Sequence, residues 1–319
     1  MTTMTKKNAA QSASDRNPVT QTVYTQRARY FDSENAFNIV YADVPAASFV
    51  AQRDTALDPA TGTALIRCDQ SAAMGLPFPA TSPLVLASYV RVRAGDSLDI
   101  DARATVVLAY VIEGAGRAEQ GADIIAWNAG DVFSMPGGRP IRLASPQRDS
   151  VLWVVTNEPE LAFERAAPPS LDEALVEAAH FPAATIAEEL DRTRAKLAGK
   201  RVAGLAVVFA AERLEDRRNI SPSLTLAMNQ LEPGGTQTAH SHNSVAVSLA
   251  IEGPRCYSMV DGTRKDWAPY VTMVTPPGSV HSHHNQGDRR ATWLIVQDGG
   301  LHYHCRTMGF RFEDVGAND

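Results

Sequence analysis

The sequence lacks the features that mark membrane, disulfide-rich or nucleic-acid-binding proteins. Three cysteines occur in 319 residues, far apart and in no zinc-binding pattern, so we interpret them as reduced thiols. No apolar run approaches the roughly 18 residues of a membrane helix, and the start of the chain has no continuous apolar segment like that of a secretion signal. The net charge of −6 argues against the basic patch that nucleic acid or an anionic membrane surface would require. We therefore expect a cytoplasmic protein with neither nucleic acid nor membrane as a partner.

What is present is a regular alternation of short apolar segments and turns in two parts of the chain. Residues 84–157 contain segments such as "TVVLAYVIEGAG", and residues 222–313 repeat the rhythm with segments such as "SVAVSLAIEGPRCYSMVDG". Short strands that recur at regular spacing between Gly, Pro and Asp-Gly turns are typical of β-sandwiches and barrels. The sequence therefore predicts an all-β fold with a few helices.

A helical pattern separates the two β-rich parts. "SLDEALVEAA" begins with Ser170 and Glu173, and "TIAEELDRTRAKLAG" begins with Thr185 and Glu188. Each pair has the spacing of a capping box, and Gly199 stands where the second helix should end. These features divide the chain into a flexible tail (1–25), an N-terminal β domain (26–158), a helical linker (159–202) and a C-terminal β domain (203–319).

The C-terminal β-rich part contains two polar motifs that resemble those of a known superfamily. Gly234 is followed by His240 and His242 at alternate positions, and the segment "PPGSVH" ends at His281. This combination resembles the paired motifs of the cupin superfamily, whose members are small antiparallel double-stranded β-helix barrels with a metal inside. The resemblance implies a bicupin, in which two such jelly-roll barrels are joined by the helical linker.

The N-terminal β-rich part keeps the glycine and proline framework of the motifs but not the histidines. With Gly95 aligned on Gly234, Asp101 and Arg103 occupy the first two histidine positions, and Ile141 occupies the third. Arginine and isoleucine do not ligate metals. The N-terminal cupin is therefore predicted to be metal-free.

The three histidines of the C-terminal motifs are the predicted metal ligands. Alternate residues of a strand share a face, so His240 and His242 should point into the barrel together, and His281 should approach from a neighbouring strand. Three imidazoles leave coordination positions open, as a catalytic site requires. The alternative is a set of buried histidines that are satisfied by hydrogen bonds.

The glutamate usual in the first cupin motif is absent. It would fall at position 246 or 247, where the sequence has Ala246 and Val247. Because residue 246 has the parity of His242, Ala246 and Ser248 should leave space in the cavity. A site of three neutral ligands keeps the full charge of a divalent ion, and we expect it to attract an anionic chelating substrate.

The segment "TPPGSVHSHHN" resembles the second motif of gentisate- and salicylate-type ring-cleaving dioxygenases. The resemblance implies Fe(II), O₂, a small aromatic substrate, and His283 as a catalytic residue whose ordinary near-neutral pKa suits proton transfer. Over residues 30–313 the chain also resembles the large subunit of hydroquinone dioxygenases, which leaves a small second subunit as an option. Two departures stand out. Gentisate-type enzymes carry their metal in the N-terminal cupin, and hydroquinone enzymes do not use a plain three-histidine set.

Further candidates for substrate binding are polar and aromatic residues near the motifs. Besides Ala246 and Ser248, they are Gln237, Arg290, Trp293, Gln297, His302 and His304. His302 and His304 are predicted to share a face of a late strand. A solvated turn for Arg290, a core position for Trp293, and packing or an interface for the two histidines are the alternatives.

Two other functions stay open at this point. One is another metal-dependent cupin enzyme, such as a non-aromatic oxygenase, isomerase, lyase or decarboxylase. The other is a non-catalytic ligand-binding bicupin, since fold alone says little about function. Because a domain without a metal is retained, we expect it to serve an interface, and the protein to be a homodimer or homotetramer.

Overall fold

A computed structural model of the chain describes residues 22–199 and 204–313. The chain forms two compact units, one ending at Tyr41 and one starting at Ala42. The first unit contains two short helices, α1 (Val23–Arg27) and α2 (Ser33–Ala36), that bury none of their residues. Most of the flexible tail predicted for residues 1–25 lies outside the described residues, and α1 begins within its last part.

The N-terminal β domain consists of a six-stranded and a four-stranded antiparallel sheet. Its strands are β1 (Ala64–Arg67), β2 (Leu86–Val92), β3 (Ser97–Ile100), β4 (Val106–Glu113), β5 (Ala115–Gln120), β6 (Asp123–Asn128), β7 (Val132–Pro136), β8 (Ile141–Ala144), β9 (Ser150–Thr156) and β10 (Ala179–Phe181). The strand orders are β1-β2-β9-β4-β7-β10 and β3-β8-β5-β6. Large apolar side chains, including Trp127, Phe133 and Ile141, form its interior cluster.

The C-terminal β domain consists of two five-stranded antiparallel sheets. Its strands are β11 (Leu205–Phe209), β12 (Thr225–Leu231), β13 (Thr236–Ser241), β14 (Ala246–Glu252), β15 (Cys256–Val260), β16 (Thr263–Asp266), β17 (Thr272–Thr275), β18 (His281–Asn285), β19 (Ala291–Gln297) and β20 (Arg311–Phe312). The strand orders are β11-β12-β19-β14-β17 and β16-β15-β18-β13-β20.

The two β domains share one topology. The order β1-β2-β9-β4-β7 corresponds to β11-β12-β19-β14-β17, and β6-β5-β8-β3 corresponds to β16-β15-β18-β13. Each domain is therefore a jelly-roll barrel of two sheets. The predicted all-β fold with two antiparallel barrels is confirmed.

Helices occupy the ends and the connections of the barrels. Within the described residues after Tyr41 they are α3 (Val50–Leu57), α4 (Ser71–Met74), α5 (Glu158–Glu164), α6 (Ala183–Leu197), a 3₁₀ helix (Glu212–Arg217) and α7 (Gly299–Cys305). None of the described helices has both the length and the apolar character needed to cross a membrane.

The predicted linker helices are partly wrong. Ser170 and Glu173 form only a turn, in which Ser170 Oγ donates to the Glu173 carboxylate at 2.9 Å. The chain then enters β10, whose pairing with β7 replaces the expected helix with a sheet extension. The second helix, α6, does form, but it begins at Ala183 after Pro182 rather than at Thr185. Its end agrees with the prediction, because Gly199 follows the C-cap with a φ of 74°.

The alignment of the two barrels in the predicted metal motif is also wrong by one residue. His240 on β13 pairs with His281 on β18, whereas Ile100 on β3 pairs with Ile141 on β8. The register of β13 shifts between Gln237 and His240, which adds one residue to that strand. Counting the same number of residues from Gly95 as from Gly234 therefore identifies Asp101, one residue past the true counterpart of His240.

Buried Ile100 and Ala102, rather than Asp101 and Arg103, are thus the structural counterparts of the two histidines. Asp101 and Arg103 are exposed, and the Arg103 guanidinium donates to the carbonyl oxygens of residues 165 and 166. Ile100, Ala102 and Ile141 offer no ligand atom. They now support the prediction that the N-terminal barrel holds no metal.

The two large sheets share a hydrophobic core that joins the barrels. Apolar residues of both domains, such as Trp153 and Leu226, belong to one buried cluster. Thr272 on β17 contributes a buried hydroxyl to this core. Its Oγ1 accepts from Trp153 Nε1 at 2.9 Å and lies 2.8 Å from the Tyr89 hydroxyl. The C-terminal barrel, which contains the three histidines, therefore packs against the N-terminal barrel through this shared core.

Candidate metal centre

Three histidine side chains converge inside the C-terminal barrel. His240 lies on β13, His242 follows that strand, and His281 begins β18. One ring nitrogen from each lies within 4.8 Å of the others, and all three side chains are buried. Within the described residues, this is the group of histidine, cysteine and acidic side chains that could hold a metal ion.

Backbone carbonyls orient all three rings in the same way. The Nδ1 atoms lie 2.8 Å from Thr238 O, 2.8 Å from Ser244 O and 2.9 Å from Ser279 O for His240, His242 and His281 respectively. A carbonyl only accepts, so each Nδ1 carries the ring hydrogen and each Nε2 keeps its lone pair. This is the tautomer that a metal-ligating histidine uses, with the carbonyl fixing its orientation.

Burial also keeps the three rings neutral. Desolvation lowers the pKa of His240 and His242 below the ordinary value and lowers the pKa of His281 to about 3. Neutral imidazoles with free Nε2 lone pairs are suited to a divalent transition metal. The residues present therefore fit a metal ion.

The histidines form one wall of a cavity of about 290 Å³. Ala246 and Ser248 line it from β14, as the parity argument predicts, and Gln237 and Gln297 line it from β13 and β19. No carboxylate, lysine or arginine belongs to the part of its lining that the structure describes. The space expected from the missing glutamate is therefore present beside the histidines.

His283 also lines the cavity, but its surroundings differ from those of the three ligands. Its Nδ1 lies 2.7 Å from Ser258 Oγ, which accepts a hydrogen bond of 2.8 Å from Trp267 Nε1. We assign the Ser258 hydroxyl hydrogen to His283 Nδ1, which places the ring hydrogen of His283 on Nε2. Desolvation, followed by the neighbouring histidines, lowers the pKa of His283 well below its ordinary value. The near-neutral pKa expected for this residue is therefore wrong.

Four predicted substrate-binding residues do not line the cavity. Arg290 forms ion pairs with Glu232 at 3.2 Å and Asp191 at 3.4 Å, so its charge is already compensated. Trp293 shares the strand face of cavity-lining Gln297, but it belongs to a buried apolar cluster and packs against Trp267 and His283.

His302 and His304 belong to helix α7, so the predicted strand is wrong. The sequence pattern of this segment alternates as a strand does, but two glycines begin a helix there. His302 Nδ1 lies 3.2 Å from Thr307 Oγ1, and exposed His304 lines a separate surface pocket.

Several cavity residues were missed by sequence reasoning. Asn229 on β12 is buried and lines the cavity, and its polar side chain within a predicted strand was the available signal. Tyr303, Met308 and Phe310 come from the C-terminal segment, which folds back over the cavity. The Phe310 ring lies 5.3 Å from the His240 ring, centroid to centroid. Such fold-back contacts have no local sequence signature.

The fold and the site together describe a protein of two jelly-roll barrels with a group of three converging histidines in the C-terminal one. Its structure is similar to that of a salicylate 1,2-dioxygenase variant from Pseudoaminobacter salicylatoxidans in complex with gentisate, with a TM-score of 0.71, 11% identity and 88% of each chain covered. This likeness establishes the shared fold.

The chain is also related in sequence to ring-cleaving dioxygenases, as predicted from its motifs. It is 32% identical over 89 residues to a gentisate 1,2-dioxygenase from Ralstonia, a match that covers 28% of this chain and 25% of the relative. It is 32% identical over 115 residues to a 1-hydroxy-2-naphthoate 1,2-dioxygenase from Nocardioides, covering 35% of this chain and 29% of the relative. These matches span less than a third of either relative. No family model matches the chain.

Proposed function

We propose that this bicupin is an Fe(II)-dependent dioxygenase that opens the ring of a hydroxylated aromatic with O₂. Gentisate-, salicylate- and hydroquinone-type compounds are the proposed substrate class. The observation that carries the proposal is the convergence of three neutral imidazole Nε2 atoms in a cavity whose described lining has no carboxylate. The relatedness to gentisate and hydroxynaphthoate dioxygenases supports the same chemistry.

In this proposal His240, His242 and His281 hold the ion. Bound iron would supply the electron exchange between the aromatic ring and O₂, which protein side chains alone do not provide. The three ligands are uncharged, so the protein leaves the positive charge of the ion available to anionic oxygens of a chelating substrate.

The remaining cavity walls position the ring and exclude water. Ala246 and Ser248 leave room beside the histidines, while Ile295 and Phe310 provide apolar surface for an aromatic ring. Asn229 and Gln237 provide carboxamides for hydroxyl or carboxyl substituents.

His283 acts as a hydrogen-bond donor in this account. With its ring hydrogen on Nε2 and its pKa well below the ordinary value, it is a neutral donor at physiological pH. It would donate Nε2–H to a substrate oxygen and so stabilise negative charge that develops there. The alternative, that it only supports a neighbouring ligand, makes no use of that hydrogen.

Oxygen uptake and metal content test the proposal. The purified full-length chain, loaded anaerobically with Fe(II), should bind one ion per chain and consume O₂ with gentisate, a salicylate or hydroquinone. The His242→Ala/His281→Ala double variant should lose both properties. His284→Gln is the matched control, because His284 stacks on Tyr257 on the other face of the same strand.

The outcomes separate the candidate functions. Metal binding without O₂ uptake on any aromatic substrate would favour a redox-neutral cupin enzyme, and no metal binding would sink the proposal. Turnover by the purified chain alone would exclude the need for a small second subunit.

We also propose that the protein is a homodimer or homotetramer. The first compact unit exposes large apolar side chains, including Tyr30, Phe37 and Tyr41. Concentrated exposed apolar residues mark interaction surfaces. Light scattering should give the mass of a dimer or tetramer, and Tyr30→Ser/Phe37→Ser should lower it. Phe163→Ser, at another exposed aromatic, is the control. A monomeric parent would contradict the proposal.

A further inference from the structure

The Gln297 side chain lies at the metal-binding end of His242. Its Nε2 atom is 3.2 Å from His242 Nε2. Because His242 Nδ1 carries the ring hydrogen and points at Ser244 O, the Nε2 atom can only accept from the amide. Gln297 therefore contacts the lone pair through which His242 would bind a metal ion.

A metal ion on His242 removes this acceptor. The amide N–H would then face an occupied lone pair and a cation, which is unfavourable. A half-turn of the amide exchanges nitrogen for oxygen at almost the same place, since the two ends of a carboxamide have nearly the same shape. The carbonyl oxygen would then face the cation.

The position of the amide suits a ligand of the same ion. Two ligands at right angles, each about 2.1 Å from a metal, are about 3 Å apart. The 3.2 Å between the Gln297 amide and His242 Nε2 is close to this separation. A side chain that contacted only the far end of a bound substrate would lie farther from His242 Nε2.

The backbone holds Gln297 and His242 in a fixed relation. Asp298, the next residue, accepts a hydrogen bond of 2.8 Å from Val245 N, just after the segment that orients His242. Val296 pairs with Val247, so β19 and β14 are in register beside the site. Gln297 therefore lies at the end of a strand that hydrogen bonds hold in place, rather than in a loop.

We propose that Gln297 is a fourth protein ligand, whose Oε1 binds the ion held by His240, His242 and His281. The inference rests on the metal centre of the proposed function. In this arrangement a neutral amide from β19 takes a coordination position, whereas a carboxylate from β14 is the usual partner of the motif. The ion would keep its full charge, as it would not with glutamate.

Metal affinity and hydration of the full-length chain test the inference without using turnover. Mn(II) is the probe, with its dissociation constant measured by competition with a chelator and its bound water by proton relaxation. Gln297→Ala should raise the dissociation constant at least about 10-fold and increase relaxation, because water would replace the lost ligand. Gln297→Glu should bind Mn(II) more tightly than the parent. Gln286→Ala, an exposed glutamine of the same barrel, is the control and should match the parent.

The outcomes distinguish this inference from the proposed function. If the parent binds Mn(II) and Gln297→Ala binds it with the same affinity and hydration, Gln297 is no ligand while the metal centre stands. If the parent binds no metal at all, both the inference and the proposed function fail.

Discussion

At the scale of single residues, Ala246 stands where the cupin motif that the sequence resembles usually has a glutamate. Its side chain is 5% exposed and lines the cavity beside the histidines. A carboxylate here would add a negative charge close to the ion, where Coulomb forces are strong because little water intervenes. In the proposed function, an alanine leaves both the charge and the space to the substrate.

We expect Ala246→Glu to bind metal at least as tightly as the parent but to lose ring-cleaving turnover. The added carboxylate would occupy a substrate or O₂ position and repel an anionic chelator, and a loss of order 10² corresponds to about 2.7 kcal/mol. Ala246→Gln, with nearly the same volume and no charge, is the control and should retain more activity. Steady-state oxygen uptake checks this; unchanged turnover in Ala246→Glu would disprove our account of the missing carboxylate.

In the proposed function, Ser258 is a positioning residue for His283. Its hydroxyl joins Trp267 Nε1 to His283 Nδ1, and its loss would free the His283 ring to change tautomer. Ser258→Ala should shift the His283 nitrogen signals in ¹⁵N NMR and lower kcat about 10-fold or more, as loss of supporting hydrogen bonds commonly does.

Ser282→Ala is the matched control, because Ser282 Oγ contacts His284 on the opposite face at 2.8 Å. It should leave both the His283 signals and kcat unchanged. An unaltered His283 tautomer in Ser258→Ala would contradict the assigned hydrogen-bond direction.

At the scale of elements, Asp298 ties the end of β19 to the start of β14. Its Oδ1 accepts from Val245 N at 2.8 Å. Burial raises the pKa of the Asp298 carboxyl from 3.8 to about 6. Because the folded pKa is the higher one, this group's contribution to stability is full below pH 3.8 and is lost as the pH rises through about 6.

Asp298→Asn should remove this pH dependence, because asparagine keeps the acceptor but does not ionise. Relative to the variant, the parent should lose up to about 3 kcal/mol of unfolding free energy between pH 4 and pH 7.5. Urea unfolding of both proteins at the two pH values measures the difference, in which the titration of other groups cancels. Parallel pH profiles would mean that Asp298 ionises in the folded protein as it does in the unfolded chain.

At the scale of the whole molecule, the two barrels are joined through a hydrophobic core that contains the buried hydroxyl of Thr272. Its hydroxyl satisfies the buried donor of Trp153 and contacts the Tyr89 hydroxyl. Thr272→Val keeps the shape and leaves the indole N–H without this acceptor. An unsatisfied buried donor costs about 1–3 kcal/mol, so we expect a loss of that size in the unfolding free energy.

Denaturant unfolding of Thr272→Val, beside Thr263→Val on the exposed strand β16, checks this expectation. The control should change stability little, because its side chain is exposed. Equal stability of Thr272→Val and the parent would show that the buried contact between the barrels contributes nothing net.

Local pattern alone determined a large part of the molecule. Alternating apolar segments and regular turns predicted two β-barrels, and the paired motifs around His240 and His281 predicted the relationship to ring-cleaving dioxygenases; both are confirmed. The parity of Ala246 with His242 also led to its place in the cavity wall. These features depend on spacing along one strand, which the sequence contains completely.

The tertiary structure decided whatever depends on a partner strand or a distant contact. The extra residue in β13 moved the N-terminal counterpart from Asp101 to Ile100, because register is set by pairing rather than by distance from a glycine. The tautomer of His283 follows from Ser258 and Trp267, which are remote in sequence. Helix α7, which begins at Gly299, places His302 and His304. The hydrogen bond between Val245 N and Asp298 holds the neighbouring Gln297 beside His242 Nε2.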